Sequence, residues 1–447
     1  MFDTAGAGLG EAVAIELPWH DPVAAFLGFS QDETVVFFHS GGAVGARSRY
    51  SYLCVEPFEV LRNTTLEVLA ARLAACRCDW RAAPVPFCGG AAGFFGYDAA
   101  AWWETGLRPP GVFAGVPDTQ FGLYDLVFAW DHSARRFWLL SAFGERGARV
   151  AAALARLRVG AAAQCVPGLQ WRALVPRELH LARVQLALDY IYAGDIYQAN
   201  IAAGFAAARP KGVAAADIFV ALLRCNPAPF SAFIGCGGGT AVASVSPERF
   251  LSVDRRGAIE TRPIKGTRPR GATLADDAAQ AASLVASAKD RAENLMIVDL
   301  MRNDLSRVAR PGSVAVTRLH ELESFASVHH LVSAIVARLR PEFSAANVLA
   351  AALPGGSITG APKIRAMQII AELEGVGRGP YCGTAAWLGF DGAMDSNILI
   401  RTVTVARDTV VAQAGGGIVA DSDPAAEWDE LMVKVTPLLL ALGDRPA

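Results

Sequence analysis

Two pairs of carboxylates stand at helical spacing and could hold a metal ion. Asp290 and Glu293 lie three residues apart in AKDRAENLMIVDLMRNDL. Glu427 and Glu430 have the same spacing in AEWDELMVKV. Side chains three apart on a helix share one face, so two such pairs could offer oxygen ligands to a hard cation such as magnesium. The alternative is an ordinary charged surface, because Glu430 and Lys434 have the spacing of a common surface ion pair.

A concentration of positive charge lies in IETRPIKGTRPRG, residues 259–271. Its cations are Arg262, Lys265, Arg268 and Arg270, in a chain whose net charge is -2. The glycine and two prolines exclude a helix, so the sequence predicts a turn at a strand end. Such a turn could hold an arginine against a carboxylate or phosphate and leave a lysine free for chemistry. A solvated loop is the alternative.

Two glycine-rich segments could present backbone donors to an anion. GGSITGAPK leads into a helical pattern, but Ala361 and Pro362 stand where a P-loop needs Lys and Ser or Thr. Gly415 to Gly417 follow a strand pattern without opening a helix, so they lack the dinucleotide fingerprint. Backbone N–H donors of these segments, together with Arg401, would suit a ligand that carries a carboxylate. Glu248 and His330 are the titrating candidates nearby, although a single histidine is often structural.

Composition bounds the class of protein. The chain has 447 residues, 53% hydrophobic and 19% charged, which suits two or three domains or one large interlocked α/β unit. No uncharged apolar run reaches the ~18 residues that span a bilayer. The N-terminal segment carries acids where a signal peptide has Lys or Arg, and the eight cysteines form no CxxC pair. We therefore expect a cytoplasmic protein, and the near-neutral charge argues against nucleic acid as partner.

The elements that must position these residues fall into two halves. Residues 1–170 are rich in strand patterns, with helical patterns near 64–76 and 145–158. A glycine-richer half, 178–442, has a strand beginning at Gln198 and another, 241–253, that carries Glu248. Helices are predicted at 276–308, after His330 and from about 424, so the carboxylate pairs lie on helices.

Nine segments occur in the order found in chorismate-utilising enzymes, and the chain is identified as resembling that family. They are GDIYQANI, SPERF, ETRPIKGTRPRG, KDRAENLMIVDLMRNDL, HHLVS, PGGSITGAPK, IRT, AGGGIV and EWDELMVK. The family includes the large subunits of anthranilate and aminodeoxychorismate synthases, and the isochorismate and salicylate synthases. The resemblance implies an α/β fold of the anthranilate-synthase type, with two lobes, stacked and largely antiparallel sheets, and outer helices.

The resemblance also implies roles for individual residues. Magnesium would be held by Glu293 and Glu430, with Asp290 and Glu427 behind them. One substrate carboxylate would meet the metal, and the other would meet Arg401 and Tyr381. The remaining contacts with the substrate would come from Thr359, Gly415, Gly416, Gly417 and Lys434. Glu248 matches the acid that protonates the departing hydroxyl, and His330 lies beside that acid in the family.

Two positions separate the branches of the family. Gln198 stands where isochorismate and salicylate synthases resemble one another in having a lysine base, which disfavours attack by water. Lys265 stands where anthranilate synthases typically have alanine, and it resembles the lysine thought to add to ring carbon 2 before ammonia enters at carbon 4. Such a lysine must be neutral, and we expect Arg262, Arg268, the metal and burial to lower its pKa from ~10.4.

The resemblance therefore implies amination of chorismate to 4-amino-4-deoxychorismate, towards 4-aminobenzoate and folate. Anthranilate formation and non-catalytic chorismate binding in a regulatory subunit are the alternatives. The expected partner is a separate glutamine amidotransferase subunit that supplies ammonia, since no glutaminase motif is present. The N-terminal half of the family can hold tryptophan, and HSGG near Ser40 and RYSYL near Tyr52 lie in the comparable region.

Overall fold

The structure is a computed structural model that describes residues 12–42, 45, 47–78, 80, 82–102, 115–144, 147–157, 162–324 and 328–443. No helix within these ranges is long and apolar enough to cross a bilayer.

Strands and helices both occur throughout the described residues, and several strands follow one another directly. The strands are β1 Val13–Leu17, β2 Val36–His39, β3 Tyr50–Val55, β4 Glu59–Arg62, β5 Gly90–Phe95, β6 Thr119–Tyr124, β7 Leu126–Asp131, β8 Arg136–Ser141, β9 Arg172–Ala173, β10 Gln198–Ala208, β11 Phe230–Gly237, β12 Thr240–Ser246, β13 Arg249–Val253, β14 Ala258–Thr261, β15 Ile264–Pro269, β16 Ala315–Ser324, β17 Val328–Arg338, β18 Gly360–Ala361, β19 Thr384–Gly389, β20 Met394–Asn397, β21 Thr402–Val405 and β22 Thr409–Ile418.

The helices lie outside the strands. They are α1 Pro22–Phe29, α2 Leu66–Ala75, α3 Gly147–Leu157, α4 Arg177–Tyr192, α5 Ala215–Cys225, α6 Leu274–Ala286, α7 Ala288–Ser306, α8 Ala345–Ala352, α9 Lys363–Glu374 and α10 Pro424–Ala441, with short 3-10 turns at Tyr97–Trp102 and Gly356–Ile358.

Two antiparallel sheets form the framework. The first sheet has 12 strands in the order β1-β8-β7-β3-β2-β11-β12-β21-β22-β10-β18, with β9 beside β10. The second sheet has 10 strands in the order β15-β17-β14-β13-β20-β19-β5-β6-β4, with β16 beside β17. Buried side chains of both sheets, such as Val127 and Phe94, pack in one cluster between them. The predicted α/β fold with stacked antiparallel sheets and outer helices is confirmed.

Each sheet takes strands from both sides of residue 170. β1 to β3 share the first sheet with β10 to β12, and β4 to β6 share the second with β13 to β17. The division into lobes 1–170 and 178–442 stays a prediction, and the hydrogen-bonded framework is continuous across that boundary.

Two of the places where the chain passes from one sheet to the other are adjacent, and we call them the crossover segments. Residues 247–248 connect β12 of the first sheet to β13 of the second, and residues 398–401 connect β20 of the second to β21 of the first. The two segments are hydrogen-bonded to each other: Ile398 N–H donates to the Glu248 carbonyl at 3.1 Å, and Val245 N–H donates to the Arg401 carbonyl at 3.0 Å.

Three predicted elements are wrong. Residues 259–271 form β14 and β15 with a break at Pro263 in place of one turn, because β15 is an edge strand, where charges and prolines are tolerated. His330 and the residues directly after it lie in strand β17, which pairs with three strands, so the helix predicted after His330 begins only at Ala345, as α8. Gly415 to Gly417 lie inside β22 and pair with β10.

Candidate active site

The acid and the guanidinium predicted for the site lie on the two crossover segments. Glu248 follows Pro247 at the end of β12, and Arg401 precedes β21. Arg401 has φ 51°, a left-handed backbone that a side chain rarely adopts, and such strain often marks a functional position. The main-chain hydrogen bonds at the Glu248 and Arg401 carbonyls therefore hold the backbones of the two residues close together.

Glu248 has the protonation behaviour of a general acid. Burial raises the pKa of this carboxyl from 4.5 to about 7, while the Lys265 ammonium and the Ser357 hydroxyl oppose the rise. Ser357 Oγ donates to Glu248 Oε1 at 3.4 Å. A carboxylic acid that keeps its proton near neutral pH can give it to a departing oxygen. Sequence reasoning missed Ser357, which lies in the glycine-rich segment after α8.

Lys265 lies on β15 immediately before a bulge. The register with β17 shifts between Lys265 and Thr267, and Gly266 at the shift has φ 76°. A Cβ there would meet Leu284 at 2.8 Å and Asp290 at 2.9 Å, so only glycine fits. A bulge turns the neighbouring side chains out of the regular alternation. Here it permits Lys265 to lie within electrostatic range of Glu293, Lys434 and Glu248.

The Lys265 pKa is lowered chiefly by burial. The Glu293 carboxylate opposes this by raising the pKa, and the Lys434 ammonium lowers it further. The expectation that Arg262 and Arg268 supply the like charge is wrong, because each arginine is paired with an acid. Arg262 contacts Glu323, and Arg268 Nη2 lies 3.0 Å from Asp290 Oδ2.

His330 lies on β17 opposite Thr267, and Thr267 Oγ1 and His330 Nδ1 are 2.9 Å apart. Burial is the main reason that the pKa of His330 falls from 6.5 to about 4. The positive charges of Arg47 and Arg401 act in the same direction, whereas a backbone hydrogen bond at Gly266 opposes the change. The imidazole is therefore neutral at physiological pH and can orient a neighbour but carries no proton to give as imidazolium.

The four predicted metal-binding carboxylates lie on α7 and α10, as expected. Burial raises the pKa of Glu293, and the negative charges of Asp290 and Glu430 also raise it. The positive charges of Lys265 and Lys289 oppose this rise. Neighbouring carboxylates that raise the pKa of Glu293 mark a place where a bound cation would lower the energy. This donor set is all oxygen, which fits magnesium.

The carboxylates differ in their present partners. Partial burial raises the pKa of Glu430, but the Lys434 ammonium 2.7 Å away brings it below 4.5. Burial raises the pKa of Glu427, whose Oε1 accepts from Ser422 Oγ at 2.6 Å. The described residues contain no group of three or more His, Cys, Asp or Glu close enough to hold a metal. Magnesium binding stays a prediction.

The glycine strand is flanked by predicted site residues on both faces. A Cβ on Gly416 would lie 2.8 Å from Glu427 Oε2, and one on Gly417 would lie 3.1 Å from the Gln198 amide. Lys434 Nζ donates to the Gly415 carbonyl at 2.9 Å. Glycines 415–417 are therefore required by crowding as well as by any substrate contact.

Thr359 and Tyr381 are held by a buried network that sequence reasoning missed. The Thr359 carbonyl accepts from Asn200 N–H at 2.7 Å. Arg378, which is 1% exposed, pairs with Glu374 at 2.6 Å and donates to the Ile358 and Asn200 carbonyls at 3.1 and 2.6 Å. Its guanidinium also stacks over the Tyr97 ring. The sequence signal was the four-residue spacing of Glu374 and Arg378, which alone is common on surfaces.

Tyr381 and Arg401 lie close enough to interact. Burial lowers the pKa of Arg401, and Tyr381 opposes the change. Burial raises the pKa of Tyr381, so its phenol stays protonated and can donate beside the guanidinium. This arrangement suits a carboxylate of a small ligand.

A cavity of about 150 Å³ lies in the region predicted to hold tryptophan. Its lining includes Ser40, Arg49, Tyr52 and Trp387. Arg47 also lines the cavity and pairs with Glu323, the partner of Arg262 near the start of β15. The cavity offers aromatic surfaces and cations, and tryptophan there stays a prediction.

Comparison with known proteins agrees with the geometry. Residues 31–440 match the family of chorismate binding enzymes. Aminodeoxychorismate synthase component 1 of Klebsiella aerogenes is 43% identical, with 95% of this chain and 98% of that protein covered. Anthranilate synthase component 1 of Streptomyces coelicolor is 37% identical, with 94% and 86% covered. The crystal structure of anthranilate synthase component I from Streptococcus pneumoniae superposes with a TM-score of 0.78 at 30% identity, over 90% of this chain and 94% of that one. The chain belongs to the chorismate-binding enzyme family.

Proposed function

We propose that this protein aminates chorismate at ring carbon 4 to give 4-amino-4-deoxychorismate, towards 4-aminobenzoate and folate. The observation that carries this proposal is Lys265, a lysine with a lowered pKa within electrostatic range of Glu248, an acid with a raised one. The relative at 43% identity is named aminodeoxychorismate synthase component 1, whereas the anthranilate synthase of Streptomyces coelicolor is 37% identical.

Lys265 acts as the nucleophile in its neutral form. Its nitrogen lone pair forms a bond to ring carbon 2, the ring double bonds shift, and the carbon 4–oxygen bond breaks. Ammonia then forms the carbon 4–nitrogen bond, the double bonds shift back, and the lysine nitrogen leaves carbon 2 with its electron pair. Chorismate and ammonia thus become the amine and water, and Lys265 is regenerated.

Glu248 balances the protons of both steps. Its carboxylic acid protonates the hydroxyl that leaves carbon 4, which departs as water. The new ammonium group on carbon 4 then returns a proton to the Glu248 carboxylate. The neutral imidazole of His330 is placed to orient the leaving group or its water through one ring nitrogen. Gln198, at the position of a lysine base in related water-activating enzymes, has no basic nitrogen with which to activate water.

Magnesium would be held by Glu293 and Glu430, supported by Asp290 and Glu427, because these carboxylates form the oxygen-rich set of the site. When bound, the ion supplies charge neutralisation for a substrate carboxylate. Arg401 and Tyr381 hold the other carboxylate. The remaining contacts with the substrate come from Thr359, Lys434 and the amides of Gly415, Gly416 and Gly417. A dianion needs several such fixed donors.

A glutamine amidotransferase subunit is the proposed source of ammonia, since the K. aerogenes relative is named as one component of a synthase. We also place the protein in the cytoplasm. Cys54, Cys88 and Cys236 are buried and form no disulfide, which fits a reducing compartment.

Product identification tests the function. Protein incubated with chorismate, magnesium and concentrated ammonium salt should yield 4-amino-4-deoxychorismate without release of pyruvate. Lys265→Ala should lose most of the turnover while chorismate still binds, as measured by calorimetry. Lys265→Arg, which keeps a charge but cannot become neutral, is the matched control and should be equally inactive.

Fluorescent anthranilate as the main product would replace the proposal with anthranilate synthesis. Chorismate binding without turnover in the wild type would indicate a regulatory subunit. Unchanged turnover in Lys265→Ala would contradict the covalent role of the lysine.

A further inference from the structure

Two buried polar side chains from different elements are hydrogen-bonded to each other beside β15. Ser333 of β17 and Asn294 of α7 are both 0% exposed, and Ser333 Oγ donates to Asn294 Oδ1 at 2.5 Å. Burying polar groups is costly unless they are bonded to each other, so the pair is tied to one geometry. The proposed reaction gives neither side chain a role.

Both residues also bond to the carbonyl of Pro263, which immediately precedes β15. Ser333 N–H donates to this carbonyl at 3.2 Å, and Asn294 Nδ2 donates to it at 3.4 Å. Proline has no N–H, so Pro263 cannot return a main-chain hydrogen bond to β17. The Asn294 amide therefore adds a second bond at a point where the ladder is incomplete.

The main chain of His320 fixes the direction of these bonds. His320 has φ 56° in an irregular part of β16, and its N–H donates to Ser333 Oγ at 3.1 Å. A hydroxyl carries one hydrogen, so the Ser333 oxygen that accepts from His320 gives its own hydrogen to Asn294. The oxygen of the Asn294 amide thus faces Ser333, and its nitrogen faces Pro263.

Lys265 lies between two points at which α7 contacts this part of the chain. Before the lysine, Asn294 bonds to Pro263. After the lysine, a Cβ on Gly266 would lie 2.9 Å from Asp290 Cβ, so the helix packs directly on the strand. Asp290 and Asn294 are four residues apart and share one face of α7. The helix is therefore held against β15 on both sides of the lysine.

The residue before Asn294 is Glu293. Of the charges that act on Lys265, that of Glu293 has the largest effect. The relative position of these two side chains depends on where α7 lies against β15, and the contacts at Pro263 and Gly266 determine that position.

We propose that Asn294 and Ser333 are positioning residues, which hold the strand of Lys265 against the helix of Glu293. They act through Lys265, and we assign neither of them a contact with the substrate. The inference rests on the proposed amination, and it adds the buried bonds that place the lysine for attack.

Steady-state kinetics with saturating ammonium salt tests the positioning role. Ser333→Ala removes the hydroxyl and leaves the Asn294 oxygen without its donor. It should lower kcat about tenfold, because misplacing a reacting group by about 1 Å can cost up to about a hundredfold. The KM for chorismate should stay within about twofold of the wild type. A raised chorismate KM with an unchanged kcat would overturn the proposal and place the pair in substrate binding.

Ser141→Ala is the matched control. Ser141 is 3% exposed on β8 of the first sheet, and its Oγ donates to the Gly144 carbonyl at 2.6 Å. Both serine variants should melt at a lower temperature than the wild type, because each loses a buried hydrogen bond. With kcat measured well below each melting temperature, only Ser333→Ala should lose turnover. Equal losses of kcat in the two variants would indicate general destabilisation and overturn the positioning role.

Asn294→Leu tests the other member of the pair. Leucine keeps the branched shape and removes both amide contacts, so this variant should reproduce the fall in kcat without raising the KM for chorismate. It also supplies the test if Ser333→Ala does not fold. An unchanged kcat in either folded variant would contradict the proposal.

The two hypotheses fail separately. If the wild type makes no 4-amino product from ammonium salt, the proposed amination fails. If the wild type makes that product and Ser333→Ala or Asn294→Leu keeps the wild-type kcat, amination stands and the positioning role fails.

Discussion

In the proposed mechanism, Lys265 and Glu248 must each be uncharged when chorismate binds. A charge on either residue favours the charged form of the other. Burial lowers the pKa of the lysine and raises that of the acid, whereas the charge of either residue favours the charged form of its neighbour. Burial prevails for both. Burial therefore shifts the pKa of each group in the direction of its neutral form, which is the state that the proposed mechanism needs.

The pH dependence of stability checks Glu248. Its folded pKa of about 7 lies above the ordinary 4.5, so its contribution to stability is present below pH 4.5 and is lost as the pH rises through 7. Glu248→Gln cannot ionise. Its free energy of unfolding relative to the wild type should therefore increase between those pH values, as measured by denaturant titration.

Glu248→Gln should lower turnover even though it increases stability at higher pH. Glu248→Gln should lose at least about a hundredfold in kcat, because the amide cannot protonate the leaving hydroxyl. Ser357→Ala, which removes only the weak hydroxyl contact, is the control and should lose little. A pH-independent stability difference between Glu248→Gln and the wild type would contradict the raised pKa.

Magnesium binding tests the carboxylate set at the residue scale. Titration of the wild type with magnesium should give a binding heat that Glu293→Gln and Glu430→Gln each abolish, because each removes a charged oxygen ligand. Asp299→Asn, on the same helix but 77% exposed and paired with Arg302, is the control. Equal binding by the wild type and Glu293→Gln would place the metal elsewhere.

At the scale of elements, the helices were predictable and several strands were not. α7 and α10 carry their acids at helical spacing, and both segments are helices in the structure, as this spacing predicts. β15 holds lysine, arginine and proline, which favour loops, and it is a strand because β17 pairs with it. His330 lies in a strand for the same reason. Pairing between distant segments cannot be deduced from one segment.

The sequence also could not show which charges are neutralised. Arg262, Arg268 and Lys265 occur within seven residues and look alike in the sequence. The acids that bind the two arginines, Glu323 and Asp290, come from β16 and α7. The role assigned to Lys265 came from resemblance to a family and stays a prediction.

The prediction at the scale of elements concerns the stability that Arg378 provides, since its side chain connects β10 to the turn before Thr359. Arg378→Met leaves the buried Glu374 carboxylate without a cation, with the Ala202 N–H still donating to it at 2.8 Å, and it should lower the free energy of unfolding by about 3–5 kcal/mol. Denaturant titration measures the loss. Arg365→Met is the control, because that arginine and its partner Asp195 are both 39% exposed.

A double variant separates charge from packing. Arg378→Met with Glu374→Leu removes both charges, so it should recover part of the stability lost in Arg378→Met. If the double variant is less stable than the single one, the hydrogen bonds of Glu374 outweigh its unpaired charge, and the explanation by charge is wrong.

At the scale of the whole molecule, the cavity between the sheets offers a test of the tryptophan prediction. Adding L-tryptophan should raise the melting temperature, since a ligand that binds only the folded state stabilises it. Tryptamine, which lacks the carboxylate expected to meet Arg47 or Arg49, should have a smaller effect. Equal melting temperatures with and without tryptophan would leave the cavity to another ligand.

The crossover segments have a consequence for how the enzyme is made. Glu248 and Arg401 are 153 positions apart, and they meet only after β12, β13, β20 and β21 have all joined their sheets. Contacts between such distant segments form late, because long loops must close first. With Arg401 and Glu248 in their proposed roles, a half-folded chain is expected to bind chorismate weakly. The ability to bind substrate becomes a signal that synthesis and folding are complete, and a ligand-affinity column would retain only finished molecules.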